Sequence, residues 1–114
     1  MTMNESEADF PDPECAAELF HSLGDPGRLA ILAHLLNGEH NVRELTEHLG
    51  LAQSTVSAHL GRLRDCGLVE SRPEGRSSLF SLSHPAHTVP LLAAATGLLE
   101  QTGHMPPRHR KADE

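Results

Sequence analysis

Between Asn41 and Gly67 two helical segments follow one another with almost nothing between them, and this restricts the fold more than any other feature of the chain. Asn41 followed three residues later by Glu44 is a capping-box arrangement that starts a short helix over VRELTEHL, and Gly50 closes it. The corner LGLAQ leads straight into STVSAHLGRLRDCG, where Val56, Leu60 and Leu63 form one stripe at helical spacing. Two short helices joined by a three- or four-residue turn containing Gly make a helix-turn-helix, whose second helix enters the major groove of DNA. The polar face of the second helix agrees with this. A solvated helix usually carries Glu and Lys pairs three and four residues apart, yet this stretch has no acid before Asp65. At its start stand Gln53, Ser54, Thr55 and Ser57, short polar side chains that suit base edges and phosphates, with Arg62 and Arg64 further on.

Similar punctuation recurs upstream. Asp12-Pro13 supplies an N-cap and a first-turn proline for a helix carrying Ala16, Leu19, Phe20 and Leu23 at helical spacing, with Gly24 as its stop. Asp25-Pro26 opens RLAILAHLLN, whose Leu29, Ile31, Leu32, Leu35 and Leu36 give a broad apolar face, and Asn37-Gly38 ends it. After Gly67 the period changes. LVESR and SSLFSLS read as extended runs around the turn sequence Pro73-Glu74-Gly75-Arg76, a β-hairpin that follows the recognition helix as a wing. Arg72 and Arg76 near its tip, with Arg62, are expected to meet phosphates or the minor groove.

A last helix, Thr88 to Thr102, is apolar almost all the way round, with Pro90 accommodated in its first turn. Such a helix must be buried on more than one side, which assigns it to a dimer interface. The expected fold class is mainly α with a small β-hairpin, a homodimeric winged helix-turn-helix. Residues 1–11 read as a disordered acidic tail, 12–102 as the DNA-binding and dimerisation domain, and 103–114 as a flexible histidine-containing tail.

The net charge of −7 argues at first against nucleic acid, because binding DNA requires a positive surface that releases counterions from phosphates. Its distribution weakens the objection. Glu5, Glu7, Asp9, Asp12 and Glu14 all fall in the first fourteen residues, which hold no Lys or Arg, while Arg62, Arg64, Arg72 and Arg76 lie close together. With no Trp or Tyr and three Phe, the core must be aliphatic and modest, so a partner protomer is expected to complete it. The N-terminal stretch has neither the basic nor the apolar region of a signal peptide, and the run VPLLAAATGLL is too short to span a bilayer, so a cytoplasmic, non-membrane protein is expected. Two cysteines 51 positions apart, Cys15 and Cys66, do not make a disulfide scaffold, and Cys66 is expected to be buried as a small apolar group. No HExxH, nucleophile elbow or phosphate-binding glycine loop appears, so no enzyme is expected.

The order of elements, together with LGDPGRLAIL and LGLAQSTVSAHLGRLRDCGLVESRPEGRSSLFSLS, resembles the ArsR/SmtB family of bacterial transcriptional repressors over residues 15 to 102. The resemblance implies a homodimer that binds palindromic operator DNA and leaves it when an effector, often a metal ion, binds. It also implies that Gln53, Ser54, Thr55, Ser57 and His59 face DNA. The family's cysteine pair before the helix-turn-helix is replaced here by Asn41 and Arg43, and of the cysteine pair on the recognition helix only Cys66 is present, Arg62 standing at the other position. In the nickel- and cobalt-sensing branch a histidine opening the last helix, a glutamate thirteen residues on and a histidine in the tail are ligands; His87, Glu100 and His109 fall at that spacing. Gln101 and Arg110 stand where that branch carries further histidines, and His104 can substitute. Imidazole with carboxylate suits divalent nickel or cobalt, and zinc as well. Because the imidazoles bind only when neutral, the response is expected to weaken as pH falls through about 6.5. His21, His34, His40 and His48 read as surface or half-buried residues rather than ligands, with His40 set apart because it sits at the replaced cysteine site. Two alternatives stand beside the metal: a repressor of the same fold that senses oxidation through Cys15 and Cys66, or one that takes its signal from a regulatory protein partner.

Overall fold

The computed structural model describes residues 12–104. They divide into two compact units, one ending at Ser83 and one beginning at His84. The first holds four helices and a hairpin: α1 (Pro13–Leu23), α2 (Pro26–Leu35), α3 (Val42–Leu49), α4 (Gln53–Asp65), β1 (Val69–Glu74) and β2 (Ser77–Leu82). The second is one helix, α5 (Pro85–Thr102). The tails expected at 1–11 and beyond residue 104 lie outside the described residues. No helix among the described residues is long and apolar enough to cross a membrane.

Local chemistry sets the helix starts. Asp12 and Asp25 each accept a backbone N–H three residues on, from Cys15 at 3.1 Å and from Arg28 at 3.0 Å, and each is followed by a proline that gives up no useful donor. At α3 the capping box closes in both directions: Asn41 accepts from the Glu44 N–H at 2.8 Å and Glu44 accepts from the Asn41 N–H at 3.0 Å. Gly50 ends α3 at φ +70°, where a side chain would be strained, and Leu51 and Ala52 complete the corner into α4.

The core is aliphatic. Ile31, Leu32 and Leu35 of α2, Leu45 of α3, Val56, Leu60 and Leu63 of α4, and Val69, Phe80 and Leu82 of the hairpin are all buried. The apolar face of α2 is narrower than its sequence suggests, since Leu29 and Leu36 remain exposed, and Phe20 of α1 is 55% exposed.

Two element boundaries differ from expectation. The hairpin tip is not the four-residue stretch from Pro73 to Arg76. Strand pairing runs on through Pro73↔Ser78 to Glu74↔Ser77, leaving Gly75-Arg76 as a two-residue turn. Gly75 alone has positive φ there, the type II′ pattern. Proline is tolerated because both strands of a two-stranded ribbon are edges. His40 adds an isolated antiparallel bridge to Phe80, with paired backbone bonds of 3.1 and 2.8 Å.

The last helix starts three residues before the expected Thr88. Pro85 takes the first helical position, where a missing N–H costs nothing, so Pro90 falls inside the helix and leaves the Ala86 carbonyl without its usual donor. At its other end Gly103, at φ +77°, forms a Schellman closure in which the Gly103 and His104 N–H groups donate to Glu100 and Leu99.

Candidate nucleic-acid interface

On α4 the buried stripe of Val56, Leu60 and Leu63 fixes which way every other side chain points. Gln53, Ser54 and Ser57 are exposed and Thr55 is half-buried, so the polar start of the helix faces outward as expected. Unlike α1, α2 and α3, α4 has no side-chain cap: Ala52 leaves the first backbone N–H groups to solvent or to a ligand. Those groups and the positive end of the helix dipole suit a phosphate oxygen.

A hollow of about 590 Å³ lies between this start and the wing, lined by Asn41, Val42, Arg43, Gln53, Arg76, Ser77, Ser78 and Phe80. Arg43 and Arg76 are exposed, and neither has an ion-pair partner among the described residues. Sequence reasoning did not single out Arg43. It sits one residue into a helix that periodicity marks only as a support, and only the return of the wing brings it beside Gln53 and Arg76. Arg64 is also exposed on α4.

Three residues expected to face DNA are held elsewhere. His59 is only 17% exposed at its side chain, and its Nε2 lies 3.3 Å from Asp25 Oδ2 at the start of α2. A Cβ on Gly27 would stand 2.8 Å from that same Nε2, so the ring fits because residue 27 is glycine. The Asp25 carboxyl is held below its usual range first by the Arg28 backbone N–H and then, against some desolvation, by the charges of His59 and Arg28. Arg62 turns to α1, its Nε donating to Ser22 Oγ at 3.3 Å. Arg72 is gripped by Glu39, with Nε and the second guanidinium nitrogen each donating at 2.9 Å. That bidentate bond pushes the Glu39 carboxyl down and Arg72 up.

The two cysteines expected as a thiol alternative share one cavity. A hollow of about 510 Å³ is lined by Cys15, Glu18, Leu19, Ser22, Arg62, Asp65 and Cys66. Cys66 is exposed, not buried as its place at a helix end suggested, and its Sγ lies 2.7 Å from the Oγ of the buried Ser22.

The expected metal ligands are spread along the second unit. His87 is the third residue of α5 and Glu100 lies in its last turn. Thirteen residues of continuous helix separate them by about 20 Å and turn them to different sides, so within one protomer they cannot hold the same ion. His104 follows directly on the Gly103 closure. Thr102 donates its hydroxyl proton to the Leu99 carbonyl at 3.2 Å, so its oxygen accepts from His104 Nδ1 at 3.0 Å, leaving Nε2 open. His109 lies outside the described residues. Among those described, no group of three or more His, Cys, Asp or Glu side chains is arranged to hold a metal ion.

A short capped helix, a tight corner, an outward polar helix and a hairpin beside it define a winged helix-turn-helix DNA-binding domain. Residues 25–71 match the model of the bacterial regulatory proteins of the arsR family, and this chain belongs to that family of transcriptional regulators, which are not enzymes. It is 45% identical over 85 residues to the transcriptional regulator CmtR of Mycobacterium tuberculosis, covering 75% of this chain and 68% of the relative. To KmtR of the same organism it is 35% identical over 105 residues, covering 90% and 80%. It spans 64% of the length of a probable mercury resistance operon repressor from Streptomyces lividans, with 39% identity over 80 residues. Among solved structures, a homodimeric winged helix-turn-helix DNA-binding domain from Mycobacterium bovis superimposes with a TM-score of 0.69 at 28% identity, covering 77% of this chain and 81% of that one.

Proposed function

We propose that this chain is a homodimeric repressor that binds a two-fold operator, and that a divalent transition metal controls its affinity. The observation that carries the DNA reading is the hollow where Arg43, Gln53 and Arg76 meet beside the uncapped start of α4. Gln53, Ser54, Thr55 and Ser57 read base edges, while Arg43, Arg64 and Arg76 meet phosphates. His59 and Arg62 hold α4 against α2 and α1, and Arg72 reaches DNA only by leaving Glu39. The homodimeric neighbour supports two copies acting together, with half-sites about one helical turn apart.

The metal reading rests on the ends of α5. Imidazole and carboxylate donors fit nickel or cobalt first and zinc next, and the open Nε2 of His104 fits a ligand role. Because one helix keeps His87 and Glu100 apart, an ion takes His87 from one protomer together with the partner's Glu100, His104 and His109. The donor set then exists only in the dimer, and the metal favours one arrangement of the two protomers over another. A coupling of about 1–3 kcal/mol is the usual scale for such control.

Fluorescence anisotropy of the protein on the DNA upstream of its own gene, with and without nickel, cobalt and zinc, tests both halves. An affinity change of at least about tenfold with one metal, abolished in His87→Ala or Glu100→Gln, upholds the sensor reading. Equal binding under every condition removes it. A second reading is favoured by the shared cavity of Cys15 and Cys66: thiol control of the same repressor. It predicts that Cys15→Ser/Cys66→Ser abolishes regulation. Loss in neither set of variants points to a regulatory protein partner.

A further inference from the structure

His34 in the last turn of α2, His40 in the segment after it, and His48 in the last turn of α3 form a triangle that the DNA and tail readings leave unused. Their ring centres are 5.2 Å apart for His34 and His48, 5.9 Å for His40 and His48, and 6.2 Å for His34 and His40. The rings meet edge to face, so their nitrogens do not converge on one point as they stand. With His40 held by its own hydrogen bond, convergence takes rotation of the His34 and His48 rings. An ion held tetrahedrally at about 2.0–2.1 Å from three imidazole nitrogens sets the ring centres roughly 5 Å apart, and the outer torsion of histidine is broad.

The hydrogen bonding fits the same role. His40 Nδ1 lies 3.0 Å from the Gly38 carbonyl, which can only accept, so the proton sits on Nδ1 and the lone pair on Nε2. A backbone carbonyl orienting the non-ligating nitrogen is the usual support behind a metal-bound histidine. Neither ring nitrogen of His34 or His48 has a hydrogen-bond partner among the described residues. His34 and His40 are half-buried and His48 is exposed, so solvent and ions reach the cluster.

We propose that His34, His40 and His48 bind one divalent transition-metal ion per protomer, at a site separate from the one at the ends of α5. Three neutral imidazoles select zinc, nickel, cobalt or copper(II) over the hard cations magnesium and calcium. The ion clips the end of α2, the segment before α3 and the end of α3 together. Since the His40 backbone exchanges two hydrogen bonds with Phe80 on β2, it also stiffens the root of the wing.

The test uses the full chain carrying His87→Ala and Glu100→Gln, which removes ligands of the α5 site. Zinc titrated into it by calorimetry is expected to bind at one equivalent per protomer, and that equivalent is expected to vanish when His34→Gln and His48→Gln are added. As a check that needs no variant, the imidazole signals of His34, His40 and His48 in the wild-type chain should shift together on adding zinc. Amide exchange at His40 and Phe80 should slow at least threefold. Imidazole signals that stay put at saturating zinc, or an equivalent that survives His34→Gln/His48→Gln, overturn the proposal.

Discussion

What an arginine can offer DNA depends on what already holds it. Arg72 gives Nε and one terminal guanidinium nitrogen to Glu39, whereas Arg76, in the turn two residues past Glu74, is exposed with no ion-pair partner among the described residues. Glu39→Gln leaves Arg72 only the looser 3.9 Å approach of Glu74, so the variant is expected to bind operator more tightly. The plot of log affinity against log salt should steepen by about 0.9, the value of one added phosphate contact. An unchanged slope would show that Arg72 stays off the DNA. A second prediction concerns acid. Asp25 has its carboxyl held below the usual range, chiefly by the Arg28 N–H, so it adds stability above about pH 4 that is lost as pH falls through its lower folded value. Asp25→Asn keeps the cap but not the charge. Its urea midpoint should therefore lie below wild type at pH 7 and match it near pH 2. The sequence does not disclose these partnerships. His59, Arg62 and Arg72 look free on a helical or strand pattern because the groups that hold them, Asp25, Ser22 and Glu39, arrive from distant parts of the chain.

Helices and strands were far more legible, because their signals are short-range. The Asn41–Glu44 pair, four residues of text, became two reciprocal hydrogen bonds, and the stripe of Val56, Leu60 and Leu63 became the buried seat of α4. Asn41→Ala is expected to cost about 1 kcal/mol in denaturant unfolding, since it removes the acceptor of the Glu44 N–H at the start of the helix-turn-helix. Gly61 makes the opposite case. A Cβ there meets nothing within 4 Å, so Gly61→Ala should stabilise α4 by roughly 0.5–1 kcal/mol, seen as a higher Tm. A loss of operator affinity alongside that gain would mark position 61 as one where DNA comes close to the backbone. The misplaced boundaries share a cause. Proline was read as a breaker at Pro73 and as a first-turn residue at Pro90, but strand pairing carried the ribbon through the one, and Pro85 had already taken the first position ahead of the other.

Each unit of the chain leaves apolar side chains uncovered, and these set the argument for a dimer. Phe20 is 55% exposed on α1; on α5, Val89 and Leu99 are each 43% exposed and Leu98 is 65% exposed. A helix apolar on most of its surface is stable in water only when something covers it, and a second copy also supplies the second half-site reader. Leu98→Glu tests this at a position where the substitution disturbs little else, since Leu98 is among the most exposed apolar residues and glutamate is a good helix former. The variant is expected to sediment as a monomer where wild type sediments as a dimer, with unchanged helix content by circular dichroism. Its operator affinity should fall by roughly 10²–10⁴, because two recognition helices no longer bind as one linked pair. Control by metal through α5 should disappear with it, since His87 and Glu100 on one helix cannot reach the same ion. A Leu98→Glu protein that remains dimeric would move the interface off this face of α5, and the pairing of His87 with the partner's Glu100 would fall at the same time.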